Sequence, residues 1–321
     1  MQDPDVGILA IEILPISMRI TARPLDRDAM CEAITRILNA HGLHRVVLAG
    51  HSYGTAVSAH LLRRQWGSID PPLNPLPTQT PRHAQQLGRG STYRHHVISY
   101  DHSDAWNGDL IAATLLIDPI PFLLHHPAVA HNFVYLQPRH ANEWLLWYFS
   151  SREPDTARAL SRHFFWFESI LFREDVLGAT SGGGRGSTSP AAGKQGKKRP
   201  MPVTVSLSGR DQIVDARAVR AYLTGTKDPE EEEANPGGKG RAGLPPSRWE
   251  QDGLEVLYFP ELDHATVVDT PIDRAPLLGA LSRFVRLDEE DEDEDEDEGT
   301  KSVNGAGAAA GAMPNGNLVD V

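Results

Sequence analysis

The stretch from Val46 to Ala56 constrains the fold of this 321-residue chain more than any other part of it. It reads VVLAGHSYGTA, which is an apolar run followed by Gly-x-Ser-x-Gly and then by small residues. The apolar run is typical of a buried strand, and the small residues after it suit the start of a helix. The stretch therefore predicts a strand, a sharp turn and a helix, with Ser52 at the turn as a nucleophile.

The residues beside Ser52 are expected to shape this turn. We expect positions 50 and 54 to require glycine, because the strand and the helix approach each other there and leave no room for a side chain. His51 is predicted to pack near the turn. Ser52 would then lie beside the helix N-terminus, whose free N–H groups favour negative charge. The backbone N–H of Tyr53 is therefore a candidate oxyanion donor.

A serine hydroxyl needs a base to become nucleophilic, and that base needs a third group to orient it. Among the 14 histidines, His264 stands out because it lies in a short loop between the last predicted strand and the last predicted helix. Asp211 follows the preceding strand through a Gly-containing turn and is the favoured acid. Asp118, at the end of Leu-Leu-Ile-Asp-Pro, is the alternative acid. Asp215 is predicted to cap a helix.

Apolar runs alternate with helical patterns along the chain, which predicts an α/β fold with a mostly parallel sheet flanked by helices. The predicted strands are 8–14, 44–49, 112–117, 203–208 and 254–259, and the predicted helices are 26–39 with Asp26 as N-cap, 53–64, 215–223 and 276–285.

Changes in composition divide the chain into segments. Residues 1–120 and 201–287 are predicted to form the two parts of one core. Residues 121–177 are rich in aromatic side chains at helical spacing, which favours a helical cap that packs on the core or covers an apolar pocket. Four segments are too polar or too rich in Gly and Pro to bury a core, and they are predicted to be flexible: 70–94, 178–200, 227–248 and the acidic tail 288–321.

Charge and cysteine content exclude several classes of protein. The formal net charge is -12, and much of the excess is the acidic run from Asp288 to Glu298, so nucleic-acid binding is not expected. The single cysteine, Cys31, is predicted to lie within a helix, and it favours a cytoplasmic fold that needs no disulfide. No leader or membrane span is expected. No zinc motif such as His-Glu-x-x-His occurs, so neither a metal nor a cofactor is expected.

Three motifs together resemble the α/β-hydrolase fold superfamily: the elbow Gly-His-Ser-Tyr-Gly, the acid loop Ser-Gly-Arg-Asp and the terminal Asp-His-Ala. The segments Leu-Ile-Asp-Pro, Asn-Glu-Trp-Leu-Leu-Trp-Tyr and Arg-His-Phe-Phe-Trp resemble a group of uncharacterised fungal hydrolase-like proteins. The resemblance implies a serine hydrolase that cleaves carboxylic esters through an acyl-enzyme, and the aromatic residues of 121–177 favour apolar acyl groups. It also implies additional N-terminal strands and a His-Gly oxyanion loop, so residues 8–14 would be the first strand of an N-terminally shortened fold.

Two alternatives stay open at this point. One is a catalytically impaired protein that keeps the fold as a binding or scaffold module, because the resemblance places the second oxyanion donor on the absent loop. The other is a different reaction, since Ser52, Asp211 and His264 would also serve thioester hydrolysis, amide hydrolysis or acyl transfer. The acidic tail is a possible site for a basic partner. The oligomeric state is left open.

Overall fold

A mostly parallel five-stranded sheet forms the centre of the chain. The computed structural model describes residues 6–17, 23–66, 110–180, 201–226 and 246–286. The strands are β1 (Val46–His51), β2 (Ile111–Ile117), β3 (Val203–Ser208), β4 (Ser247–Gln251) and β5 (Leu254–Phe259). Their order across the sheet is β1-β2-β3-β5-β4. All neighbouring pairs are parallel except β4 and β5. The predicted α/β class is confirmed.

Helices connect the strands and fill the segment between β2 and β3. They are α1 (Arg27–Ala40), α2 (Tyr53–Gln65), α3 (Ala128–Ala130), α4 (Ala141–Leu146), α5 (Pro154–Arg162), α6 (Trp166–Ser169), α7 (Arg173–Thr180), α8 (Ala216–Thr224) and α9 (271–286). Short π-helical turns lie at His131–Tyr135 and Trp147–Ser151, and 3-10 turns lie at Leu14–Ile16 and Thr266–Val268. Across the described residues, none of the helices is both long and apolar enough to cross a membrane.

Two N-caps predicted from the sequence are confirmed. The carboxylate of Asp26 accepts a hydrogen bond from the N–H of Ala29 at 2.9 Å and so begins α1. The carboxylate of Asp215 accepts one from the N–H of Ala218 at 3.1 Å and so begins α8. Each bond satisfies an N–H that has no acceptor within its own helix, which contributes about 1 kcal/mol.

The central strands are buried on both faces of the sheet. In β5, Leu254 and Val256 belong to the core cluster beneath α1, α2, α7 and α8, whereas Leu257 and Phe259 belong to the cluster beneath α9. Each fully buried side chain of this kind stabilises the fold by about 1.5–3 kcal/mol. Because β1, β2, β3 and β5 run in the same direction, their carboxyl ends share one edge of the sheet, where the loops that carry chemistry meet.

The first predicted strand is wrong. Residues 8–13 form no strand and Leu14–Ile16 is a 3-10 turn, so β1 is an end strand of the described sheet. The apolar side chains of this segment divide between two environments, since Leu9 and Ile13 pack on the core whereas Ile8 is 92% exposed. A strand needs a neighbour that accepts and donates its backbone hydrogen bonds, and none of the described residues pairs with this segment.

Strand β4 was missed, because its first residues were assigned to the segment 227–248 that was predicted to be flexible. It is held by Glu255 on β5, which is only 5% exposed. This carboxylate pairs with Arg248 of β4 at 2.7 Å and with Arg283 of α9 at 2.6 Å, and it accepts a hydrogen bond from Thr204 of β3 at 2.7 Å. The buried charge is therefore fully partnered, and it ties the sheet edge to the last helix.

Two further boundaries differ from the prediction. Helix α7 continues to Thr180, inside the segment 178–200. Helix α9 begins at residue 271 rather than 276, because the hydroxyl of Thr270 and the carboxylate of Asp273 bond to each other at 2.6 Å and Pro271 suits the first helical position. The predicted segment 70–94 and the acidic tail 288–321 lie outside the described residues, as does most of 178–200 and 227–248.

Candidate active site

The turn between β1 and α2 holds Ser52 in an uncommon backbone conformation. Its φ is 51° and its ψ is -119°, a region that non-glycine residues rarely occupy and that is unfavourable by about 1–3 kcal/mol. Hydrogen bonds on both sides hold it. The N–H of Ser52 donates to the carbonyl of Ile117 on β2 at 3.0 Å, and its carbonyl accepts from the N–H of Thr55 at 2.9 Å. The Thr55 hydroxyl also donates to this carbonyl and accepts from the N–H of Ile120 at 3.2 Å.

The two glycines of the turn differ in what surrounds them. A Cβ atom at Gly50 would lie 2.4 Å from the Ser58 hydroxyl and 3.0 Å from the Gly54 carbonyl oxygen, so strand and helix do approach closely there. A Cβ atom at Gly54 would meet nothing within 4 Å. The prediction that packing forbids a side chain at Gly54 is therefore wrong for the described structure, because Gly50 alone accommodates the close approach.

Replacing Gly50 by alanine should destabilise the fold by about 1–3 kcal/mol, because the added methyl group overlaps the Ser58 hydroxyl and the backbone of α2. Gly54→Ala is the matched control. It adds the same methyl group in open space at the second position of a helix, where alanine is favoured over glycine, so it should leave stability equal or slightly higher. Urea unfolding of both variants measures the difference, and an equal midpoint for the two would contradict the steric account.

Ser52, His264 and Asp211 form one hydrogen-bonded chain. The Nε2 atom of His264 lies 2.9 Å from the Ser52 hydroxyl oxygen, and the Nδ1 atom of His264 lies 2.7 Å from an Asp211 carboxylate oxygen. The side chains of His264 and Asp211 are 6% and 1% exposed. The structure thus brings together the three residues that the sequence analysis singled out, in the serine, acid, histidine chain order.

The second oxygen of Asp211 determines how the carboxylate is oriented. It accepts hydrogen bonds from the N–H groups of Ile213 at 2.7 Å and Val214 at 2.9 Å. The first oxygen is thereby directed at His264, and since an ionised carboxylate can only accept, the imidazole proton resides on Nδ1. Nε2 then carries a free lone pair that faces the hydroxyl of Ser52, which is the arrangement a general base requires.

Backbone hydrogen bonds between the two loops keep Asp211 and His264 in register. The N–H of Gly209 donates to the carbonyl of Phe259 at 2.7 Å, and the N–H of Arg210 donates to the carbonyl of Leu262 at 2.9 Å. The N–H of His264 donates to the side-chain oxygen of Gln212 at 3.3 Å. The acid loop and the histidine loop therefore behave as one unit at the carboxyl ends of β3 and β5.

The two histidines of the site have pKa values that shift in opposite directions. Burial alone disfavours protonated His264, but its hydrogen bond to Asp211 and the negative charges of Asp211 and Asp118 outweigh burial and raise its pKa. The ring of His51 lies 5.3 Å from that of His264. Burial and the charge of His264 lower the pKa of His51 to about 4. His51 is therefore neutral at physiological pH, and His264 is the group that takes up a proton first.

Asp118 does not bond to the imidazole ring. It follows β2 with a φ of 44° and is 0% exposed. One carboxylate oxygen accepts from the N–H of Ser208 at 2.9 Å, and the other accepts from the N–H of Ala265 at 2.8 Å. Burial raises the pKa of Asp118, and these two bonds oppose the shift. Asp118 thus joins the end of β3 to the residue after His264, whereas Asp211 contacts the imidazole of His264 itself.

Tyr53 provides a backbone donor next to Ser52. It is the first residue of α2, so its N–H has no acceptor within the helix. Its role as an oxyanion donor stays a prediction. The helix N-terminus adds a partial positive charge at the same point.

Side chains of the segment between β2 and β3 reach the loops of the site. The side-chain amide of Asn142 in α4 donates to the Asp263 carboxylate at 3.0 Å, one residue before His264. The ring of Phe164 lies 6.0 Å from that of Tyr53. A cavity of about 20 Å³ beside Tyr53 is lined by Met30, Val57, His60 and Phe164 among others. That volume holds about one water molecule.

Asp118, Asp211 and His264 are also the described residues whose ligand atoms cluster tightly enough to hold a metal, with all three atoms within 4.8 Å of one another. Each of these atoms already takes part in a hydrogen bond, since Asp211 bonds to Nδ1 of His264 and Asp118 bonds to backbone N–H groups. A cation at this point would have to displace the bond between Asp211 and His264. The arrangement therefore fits a proton relay better than a metal site.

The sequence analysis missed several residues of the site. The Thr55 hydroxyl bonds to Ser52 and Ile120, and Gln212 and Asn142 each make one hydrogen bond to the histidine loop. Nothing in the local sequence marks these three residues. Asp118 was marked by its place after a strand, but its partners were not. No protein-family model matches the chain, and no curated protein matches it significantly.

Proposed function

We propose that this protein is a serine hydrolase that cleaves carboxylic esters of apolar acyl groups, with Ser52 as nucleophile, His264 as base and Asp211 as the acid that orients it. The observation that carries the proposal is the continuous chain from the Ser52 hydroxyl through His264 to Asp211, with distances of 2.9 and 2.7 Å. A histidine that bonds to both a strained serine and a buried carboxylate is typical of a catalytic site and not of an ordinary surface position.

The proposed reaction has two halves. The Ser52 oxygen attacks the acyl carbonyl while its proton passes to Nε2 of His264, and the N–H of Tyr53 donates to the resulting oxyanion. His264 then returns that proton to the alcohol oxygen as the ester bond breaks, which leaves an acyl-enzyme. Water attacks the acyl-enzyme, its proton passes to His264, and collapse of the intermediate releases the acid and returns the proton to Ser52.

Apolar side chains next to Tyr53 support an apolar acyl group. Met30, Val57 and Phe164 line the small cavity beside Tyr53, which polar residues line as well. Because that cavity has room for about one water molecule, an acyl chain would enter only if a side chain such as Phe164 moved aside. We therefore propose that residues 121–177 act as a helical cap over the site, anchored to the histidine loop through Asn142 and Asp263.

Labelling with a fluorophosphonate probe tests the proposal, because the probe forms a bond only with an activated serine. We expect one probe per chain by intact-protein mass spectrometry, and no probe on Ser52→Ala. Ser161→Ala is the matched control, since Ser161 is an exposed serine of α5 that takes no part in the hydrogen-bonded chain of Ser52, His264 and Asp211, and it should be labelled like the wild type. A folded wild-type protein that stays unlabelled would instead favour a binding or scaffold module.

A further inference from the structure

We infer that Asp118 is a positioning residue for His264. It holds the backbone after His264 through the N–H of Ala265, and its buried carboxylate stabilises protonated His264 in addition to that of Asp211. Asp118 is fully buried, and its hydrogen bond to Ala265 joins residues that are 147 positions apart in the sequence. Its catalytic consequence rests on the proposed function, whereas its effect on the protonation of His264 does not.

The hydrogen bond between Asp118 and Ala265 joins two uncommon backbone conformations. Ala265 has a φ of 71° and Asp118 has a φ of 44°, so both ends of their hydrogen bond lie in the sparsely populated left-handed region. Such conformations persist only where the surroundings hold them. The bond of 2.8 Å from the Ala265 N–H to Asp118 secures the backbone directly after His264, and Gln212 secures the N–H of His264 itself. The imidazole is thereby held on both sides.

Asp118 also faces His264 as a charged group. Among the described residues, the charged and titratable groups that face His264 are Asp211 of the acid loop, Asp118 after β2 and His51 at the end of β1. His51 is neutral because its pKa is lowered to about 4, so it does not compensate the charge of Asp118. The N–H groups that bind Asp118 carry no net charge either. When His264 takes the proton of Ser52, the imidazolium therefore lies near two carboxylates instead of one, since ligand atoms of Asp118, Asp211 and His264 are within 4.8 Å of one another.

The substitution Asp118→Asn separates these contributions from a purely structural role. Asparagine keeps the shape, but its amide nitrogen must face either Ser208 or Ala265, so one of the two N–H bonds is lost along with the charge. We expect kcat for a p-nitrophenyl ester to fall about tenfold to a hundredfold with little change in KM. We also expect the acid limb of the kcat/KM profile to move to lower pH, since without the charge His264 releases its proton more readily.

Titration of the histidine ring signals by NMR gives a readout that does not depend on activity. The His264 signal is assigned from its absence in His264→Gln, and its pKa should be lower in Asp118→Asn than in the wild type. Gln212→Leu is the matched control, because it removes the other anchor of the histidine loop without removing a charge. It should lower kcat while leaving the pKa of His264 unchanged.

The outcomes distinguish the two proposals. An unchanged pKa of His264 in folded Asp118→Asn would overturn the role of Asp118. A lowered pKa in a protein whose wild type neither hydrolyses esters nor reacts with the fluorophosphonate would overturn the proposed function and leave the role of Asp118 in place. If Asp118→Asn does not fold, the backbone amide signal of Ser208 in the wild type tests the role of Asp118 instead. The Ser208 N–H bonds to the Asp118 carboxylate, so its signal should shift as His264 titrates. A Ser208 amide signal that does not shift as His264 titrates would overturn the positioning role of Asp118.

Discussion

Replacing His264 by glutamine should lower kcat/KM for ester hydrolysis by about 10⁴- to 10⁶-fold, and the rate of fluorophosphonate labelling should fall with it. Glutamine can still bond to the Ser52 hydroxyl, but its amide oxygen is far too weak a base to accept the proton. The nucleophile then attacks as a neutral alcohol. Hydrolysis of a p-nitrophenyl ester at pH 8 measures the loss directly, with Ser52 and Asp211 intact.

The matched control is His41→Gln, which makes the same chemical change at an exposed residue at the end of α1. It should retain full activity. Circular dichroism of His264→Gln should match the wild type, because the site of the change is a loop and not a core element. Activity of His264→Gln above a tenth of the wild-type value would show that another group deprotonates Ser52, and the proposed base would be wrong.

The apolar runs predicted four of the five described strands, since a strand covered on both faces is mostly apolar, although β3 also buries polar residues such as Thr204 and Ser206. Strand β4 could not be predicted in this way. Its sequence, Ser-Arg-Trp-Glu-Gln, is polar because it lies at the sheet edge, and most of its side chains are exposed. What makes it a strand is the neighbour β5 and the pairing of Arg248 with Glu255, and neither is a local property of the sequence.

The segment 8–14 illustrates the opposite error. Its apolar composition indicates contact with a core, and Leu9 and Ile13 do pack on one. Composition alone does not say whether a hydrogen-bonding neighbour is present, and strand formation depends on that neighbour. An apolar run therefore predicts burial more safely than it predicts the secondary structure that achieves it.

At the site, the elbow motif and the chain order selected Ser52 and His264, which lie 212 positions apart, and left Asp211 and Asp118 as candidate acids. The reason is that parallel strands place all their carboxyl ends at one edge, so a serine, an acid and a histidine that each follow a strand must come close. The partners of Asp118 were not predictable, because it bonds to backbone N–H groups and these are the same for almost every residue type.

Replacing Asp211 by asparagine should lower kcat by about 10⁴-fold at pH 7, although the two side chains have nearly the same shape. One Asp211 oxygen accepts N–H bonds from Ile213 and Val214, so the asparagine oxygen will occupy that position and its NH₂ group will face Nδ1 of His264. That NH₂ group is a donor. It therefore forces Nδ1 to accept, and the imidazole proton moves to Nε2. A protonated Nε2 can no longer accept the proton of the Ser52 hydroxyl.

Asp215→Asn is the matched control for this change. Asp215 lies four positions along the chain and caps α8 through the N–H of Ala218, and asparagine is an equally good N-cap, so both activity and stability should be retained. Comparing kcat for the two variants on a p-nitrophenyl ester tests the assignment of the acid. If Asp118→Asn proved far more harmful than Asp211→Asn, the orienting role would belong to Asp118, because only the group that bonds to Nδ1 determines the tautomer on which the base depends.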